Sequence, residues 1–115
     1  VITKLTYFCP FNADLEKLLS NLHVIRHPDY FEAVPAGCSK SAGLQRVLGE
    51  LDIPRENSLA FGDSMNDLDM IAYAGVGIAM GNAAEPVKAA ADRITLPLSE
   101  SGVAAALADW LRPAE

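Results

Sequence analysis

Phe61-Gly62-Asp63-Ser64-Met65-Asn66-Asp67 decides how this 115-residue chain is read. Before it, the apolar run Ser58-Leu59-Ala60-Phe61 suits a buried parallel strand. After it, Leu68, Ile71 and Ala74 recur at helical spacing, and Gly75 is a natural stop. Two carboxylates and an amide therefore sit on a strand-to-helix turn at the carboxyl end of a strand. In open α/β sheets that is where ligands bind.

Downstream, the spacing predicts a second strand over Val76-Gly77-Ile78-Ala79-Met80, the loop Gly81-Asn82 and a helix through Ala91. A short third strand over Arg93-Ile94-Thr95 follows, then a last helix from Val103 to Leu111 carrying Leu107 and Trp110. Upstream, Ser39 can cap a helix with the apolar stripe Leu44, Val47, Leu48 and Leu51, closed by Ile53-Pro54. Strands alternating with helices predict a parallel sheet with helical crossovers.

The first third reads differently. Val1 to Phe8 is β-rich, and Asn12 can cap a helix whose buried face is Leu15, Leu18, Leu19 and Leu22. Val24-Ile25-Arg26 and Tyr30 to Val34 are strands about a Pro28-Asp29 turn. This β-α-β-β block ends at Pro35-Ala36-Gly37, a hinge or domain boundary. The expected division is therefore 1–36 and 37–115. Because Val1 already lies inside a strand, the start of the protein is expected to lie upstream.

The net charge is −6, from 15 acidic and 9 basic residues, and no Lys/Arg run exists, which argues against a nucleic-acid partner. No apolar stretch approaches the roughly 18 residues of a membrane helix, and the N-terminus has no signal-peptide pattern. Cys9 and Cys38 are too isolated for a disulfide framework or a zinc site, and read as free thiols in a reducing cytoplasm. His23 and His27 lack metal-ligand spacing and read as surface or strand residues. Met65, Met70 and Met80 read as packing.

Each chemical candidate has two readings. Ser64 to Asp67 fits a capping box, but Asp63 also offers hard oxygen ligands to Mg²⁺, which takes one or two carboxylates, keeps waters and bridges to phosphate. Asp67 could then hold water of that shell or orient Asn66 and a lysine, while Asn66 donates an amide N–H to phosphate oxygen. Lys40 is either a solvated surface lysine or a point charge for a phosphoryl group at a helix N-terminus. Asn82 with Glu85 reads as an N-cap pair; if the strands are neighbours, the same loop lines the same crevice.

Taken together, Lys40-Ser41-Ala42-Gly43-Leu44, Ala60 through Asp67, and Ala74 through Ala83 closely resemble the haloacid dehalogenase superfamily, specifically the carboxy-terminal part of a Cof-type phosphatase with an α/β cap. The match runs from about Phe31 to about Ala105. The resemblance implies an α/β fold: the carboxy-terminal half of a Rossmann-type parallel sheet with helices on both faces, preceded by the β-α-β-β end of a cap. It implies that Lys40 and Asn66 contact phosphate, that Asp63 ligates Mg²⁺, and that Asp67 supports the metal site and the lysine. Asn82 sits where the family has an asparagine near the site. The implied activity is a Mg²⁺-dependent phosphomonoester hydrolase acting on small phosphorylated metabolites, either sugar phosphates or phosphorylated cofactors.

One departure stands out. The superfamily's reaction begins with an aspartate nucleophile in an Asp-x-Asp-x-Thr motif, and these 115 residues contain none. Covalent catalysis needs its nucleophile, so the chain alone is expected to be inactive. The strand carrying that motif would lie beside Ser58–Phe61. Without it the sheet has an open apolar edge, and self-association or a partner chain is expected there. Other readings are a non-catalytic metal- and phosphate-binding module, a half-enzyme completed by another chain, and a truncated or proteolysed piece. The phosphorylation domain of a P-type cation pump shares the Gly-Asp-x-x-Asn-Asp turn. The Met80-Gly81-Asn82-Ala83 loop and the lack of a membrane segment after the last strand weigh against it.

Overall fold

A computed structural model describes residues 3–114. Two separate three-stranded sheets divide the chain. The first contains β1 (Leu5–Tyr7), β2 (Leu22–Arg26) and β3 (Phe31–Pro35), with helix α1 (Ala13–Leu18) between β1 and β2. Its order is β1-β3-β2 and all pairs are antiparallel. Register pairs Thr6 and Ile25 with Glu32 and sets His23 opposite Val34, so these residues share one face. Leu5, Val24 and Ala33 lie on the other face, where Leu19, Phe31 and Ala33 form a small core with Leu15 and Phe11. Phe31 is fully buried, stacked on Tyr7 and meeting Phe11 edge-on.

The second sheet is the expected parallel one, in the order β4 (Leu59–Gly62), β5 (Val76–Ala79) and β6 (Arg93–Ile94). Helices α2 (Lys40–Glu50), α3 (Leu68–Tyr73), α4 (Glu85–Ala90) and α5 (Gly102–Trp110) accompany it. Ala60, Ile71, Ala79, Met80 and Val87 are buried at its centre, and Met65 and Met70 pack against them, as expected of packing methionines. The α/β class and the parallel sheet are therefore as the sequence implies.

Several boundaries differ. Val1 and Ile2 of the expected first strand lie outside the described residues, and the strand spans only Leu5–Tyr7. The α1 stripe is interrupted: the helix ends at Leu18, which is 77% exposed, and Leu22 belongs to β2. A turn through Ser20-Asn21 resets the chain direction, so helical periodicity does not carry across it. On α2, Leu48 is buried but Val47 and Leu51 are exposed. The Asn82–Glu85 cap does not form; Ala84 is the N-cap of α4, and the Asn82 side-chain oxygen instead accepts from the Leu98 amide at 2.8 Å. At Pro35-Ala36-Gly37, β3 ends at Pro35, and Gly37 adopts φ +81°, a left-handed conformation that glycine tolerates. No helix among the described residues is long and apolar enough to cross a membrane, and both cysteines are free thiols.

Phe31→Ala removes the centre of the first core, and we expect it to cost about 3–5 kcal/mol in denaturant-unfolding measurements. A loss below 1 kcal/mol would mean that the antiparallel sheet is not held by this residue.

Candidate functional site

Strand β4 delivers Gly62 and Asp63 to its carboxyl end, where the chain turns through a short 3₁₀ segment, Met65–Asp67, into α3. The expected capping box is present. Asp67 reaches back so that its Oδ2 accepts from the Asp63 amide (3.0 Å) and the Ser64 amide (3.1 Å), while the Ser64 hydroxyl adds a longer contact (3.4 Å). Gly62 makes room for this: a Cβ there would run into the Asp67 side chain.

The other oxygen of Asp67 accepts a charge-assisted hydrogen bond from Lys40 Nζ, the first residue of α2. Asp67 is buried (4% exposed), whereas the Lys40 side chain is about half exposed (48%). Burial pushes the Asp67 carboxyl up, but hydrogen bonds from Lys40, Asp63 and Ser64 outweigh it and hold the group below the usual carboxylate range. The Asp67 carboxylate therefore stays ionised, and the Lys40 side chain reaches solvent.

Asn66 lies between them in the chain. Its side-chain oxygen accepts from the Ser64 hydroxyl at 2.5 Å, which leaves the amide nitrogen as the group that can donate to an anion. Asp63 is exposed, and Asn82 donates to its Oδ2 at 3.5 Å from the end of the neighbouring strand. The two strand ends are also joined by main chain, Ala84 N to Asp63 O at 3.0 Å. Lys40, Asp63, Asn66, Asp67 and Asn82 thus gather around one end of the parallel sheet. Asn82 meets Asp63 through one amide N–H.

The donor set narrows the expectation for a metal. Asp63 has carboxylate oxygens open to solvent and fits one hard-ligand position of Mg²⁺, which commonly takes one or two carboxylates and several waters. Asp67 does not suit direct ligation, because both its oxygens are engaged by donors and the side chain is buried. Among the described residues no group of three or more His, Cys, Asp or Glu could hold a metal ion.

Two features escape sequence reasoning. Asp69 accepts from the Ser41 hydroxyl at 2.7 Å, and Ser41 also meets the capping hydroxyl of Ser39 at 3.0 Å. These bonds tie the first turn of α2 to α3 and so set the position of Lys40. The partners are 28 residues apart, beyond the reach of local pattern. The second feature is a cavity of about 400 Å³ between the antiparallel sheet and the α2–α3 side of the parallel one. Lys40 and Asn66 line it from one side, Ile25, Glu32 and Val34 from the other.

Comparison with known proteins follows the same lines. The sequence profile of haloacid dehalogenase-like hydrolases matches residues 1–107. The 5-amino-6-(5-phospho-D-ribitylamino)uracil phosphatase YitU of Bacillus subtilis is 38% identical over 104 residues, which is 84% of this chain and 38% of YitU. A haloacid dehalogenase-like hydrolase from Bacteroides thetaiotaomicron superposes with TM-score 0.72 at 44% identity, covering 86% of this chain and 38% of that one. The HAD subclass IIB sugar phosphatase BT4131 superposes with TM-score 0.80 at 31% identity, covering 94% and 43%. The chain thus spans about two fifths of the length of these three relatives.

The depressed Asp67 pKa has a consequence for stability. Its contribution is fully present above the unfolded carboxylate value of 3.8 and is lost as pH falls through the lower folded value. Asp67→Asn should therefore cost roughly 1.5–3 kcal/mol at pH 7 and much less near pH 2, as read by urea unfolding at both pH values. An equal cost at both would show that charge on Asp67 does not matter.

Proposed function

The chain belongs to the haloacid dehalogenase-like hydrolase family, and from that premise we propose that it is the phosphate- and metal-binding portion of a Mg²⁺-dependent phosphomonoester hydrolase. The observation that carries this reading is the Lys40–Asp67 pair closing the turn that bears Asp63 and Asn66. In the proposed reaction the phosphate of a small phosphorylated metabolite meets the Lys40 ammonium and the Asn66 amide, which stabilise its negative charge as the ester bond breaks. Asp63 is the carboxylate this chain would contribute to Mg²⁺, and Asn82 steadies it. A bound Mg²⁺ would supply charge neutralisation at the phosphoryl oxygens. Asp67 acts through its neighbours: it fixes the Lys40 ammonium and holds the turn amides.

The attacking group is proposed to be an aspartate outside these 115 residues, forming an aspartyl-phosphate, because no Asp-x-Asp-x-Thr occurs within them. Residues 1–36 are proposed to be the end of a cap and 37–115 the second half of the core, with the leaving group of the substrate in the cavity between the sheets. YitU and BT4131 are named for a phosphoribityl-pyrimidine and for sugar phosphates, which supports a small phosphorylated metabolite as substrate. A half-enzyme completed by another chain is the second reading, favoured by β4: among the described residues it pairs with β5 alone and leaves its other edge open.

In the complete protein, p-nitrophenyl phosphate turnover with Mg²⁺ should fall by about 100-fold or more in Asp63→Ala. Equal activity in the two proteins would remove Asp63 from the reaction. For the isolated chain, sedimentation should reveal self-association through the β4 edge. A monodisperse monomer that unfolds cooperatively would count against that.

A further inference from the structure

Asp63 is the carboxylate assigned to Mg²⁺, and it stands exposed just past the end of β4. Among the described residues one side chain reaches its carboxyl group: Asn82, whose Nδ2 donates to Oδ2 at 3.5 Å. A contact of this length is weak, so its value lies in direction rather than strength. Direction requires that Asn82 itself be held, and a segment from outside the turn holds it: Leu98 N donates to Asn82 Oδ1 at 2.8 Å. Turning the Asn82 amide over would set its NH₂ against the Leu98 N–H and its oxygen against the Asp63 carboxylate, two meetings of like with like. Both contacts therefore select the same orientation of the amide.

The Leu98 amide owes its place to the loop between β6 and α5, which lies against the end of β5. Thr95 N donates to Ala79 O at 2.9 Å, Gly81 N to Leu96 O at 3.3 Å, and the Thr95 hydroxyl to Gly102 O at 2.8 Å. A Cβ on Gly81 would fall 2.7 Å from Pro97 N and 3.0 Å from Thr95 O, so the loop sits this close because residue 81 has none. After Pro97 the chain makes one 3₁₀ turn, Leu98–Glu100, whose first amide has no partner within the turn and can reach Asn82. The Leu98 side chain is 72% exposed. What the loop contributes is one backbone N–H.

Resting on the assignment of Asp63 to the metal, we infer that the β6–α5 loop belongs to the site. The Leu98 amide and Asn82 are positioning residues: together they hold the Asp63 carboxylate in one rotamer, with Oδ1 directed to the ligand position.

NMR of the unsubstituted chain and of three variants tests this. Leu98→Pro deletes the N–H and little else: the residue starts a 3₁₀ turn, and Pro97 already has the extended backbone (φ −67°, ψ 166°) that a following proline requires. Leu98→Ala removes the side chain and keeps the N–H, and Asn82→Ala removes the relay at an exposed position. Hα–Hβ couplings of Asp63 should report one χ1 rotamer in the unsubstituted chain and in Leu98→Ala, and rotamer averaging in Leu98→Pro and Asn82→Ala. Mg²⁺ titrations followed by amide shifts should show affinity reduced about threefold or more in the latter two, with Leu98→Pro adding nothing to Asn82→Ala. Asp63 couplings or Mg²⁺ affinity alike in all four proteins, a Leu98→Ala effect equal to that of Leu98→Pro, or a further loss from Leu98→Pro in the Asn82→Ala background would overturn the inference and leave Asp63 in its role. Absence of any Mg²⁺ response at Asp63 in the unsubstituted chain would overturn its assignment to the metal, and the couplings would still decide whether the loop positions it.

Discussion

The buried carboxylate of Asp67 is the constraint on which the site depends. A charge this far from water is tolerated only when its lone pairs are filled by good donors. Here the donors come from two places: the amides of the turn that Asp67 itself closes, and the ammonium at the start of α2. One side chain therefore determines both the shape of the β4 turn and the position of the cation beside it. Because Lys40 is half exposed, the pair keeps a solvated face. In the proposed reaction that solvated face is where Lys40 meets the phosphate, with Asp67 as its fixed counter-charge.

The same logic recurs around this centre at lower stakes. Asp69 with Ser41 and Ser39 fastens the helix that carries Lys40, and Asn82, past the end of β5, is joined to Asp63 after β4 and to Leu98 after β6. On the antiparallel sheet, Glu32 holds Lys4 much as Asp67 holds Lys40. Each buried acid is matched to a partly exposed lysine.

The sheet and the turn were legible in the sequence because their signals are local. Short apolar runs, a glycine before an aspartate and a capping pattern over Ser64 to Asp67 all act within a few residues. Leu18, Val47 and Leu51 fit a helical stripe yet face solvent, because periodicity marks a face without saying whether anything packs on it. Asn82 looked like a helix cap, but a loop 16 residues later offers its amide to the same oxygen. Asp69, Glu32 and His27 gave no local signal that set them apart. Their partners arrive from other strands and helices, or across a turn whose register cannot be read from one segment. The resemblance of Lys40, Asp63, Asn66 and Asp67 to a known pattern supplied what local physics left open between capping and chemistry.

The most direct test of the central claim is the titration of the Asp67 carboxyl carbon by NMR, in the unsubstituted chain and in Lys40→Met. Asp67 should titrate below the usual carboxylate range, and its midpoint should rise when the ammonium is removed. A midpoint in the ordinary range that does not respond to Lys40→Met would mean that the two residues are not coupled, and that Asp67 does not organise this site.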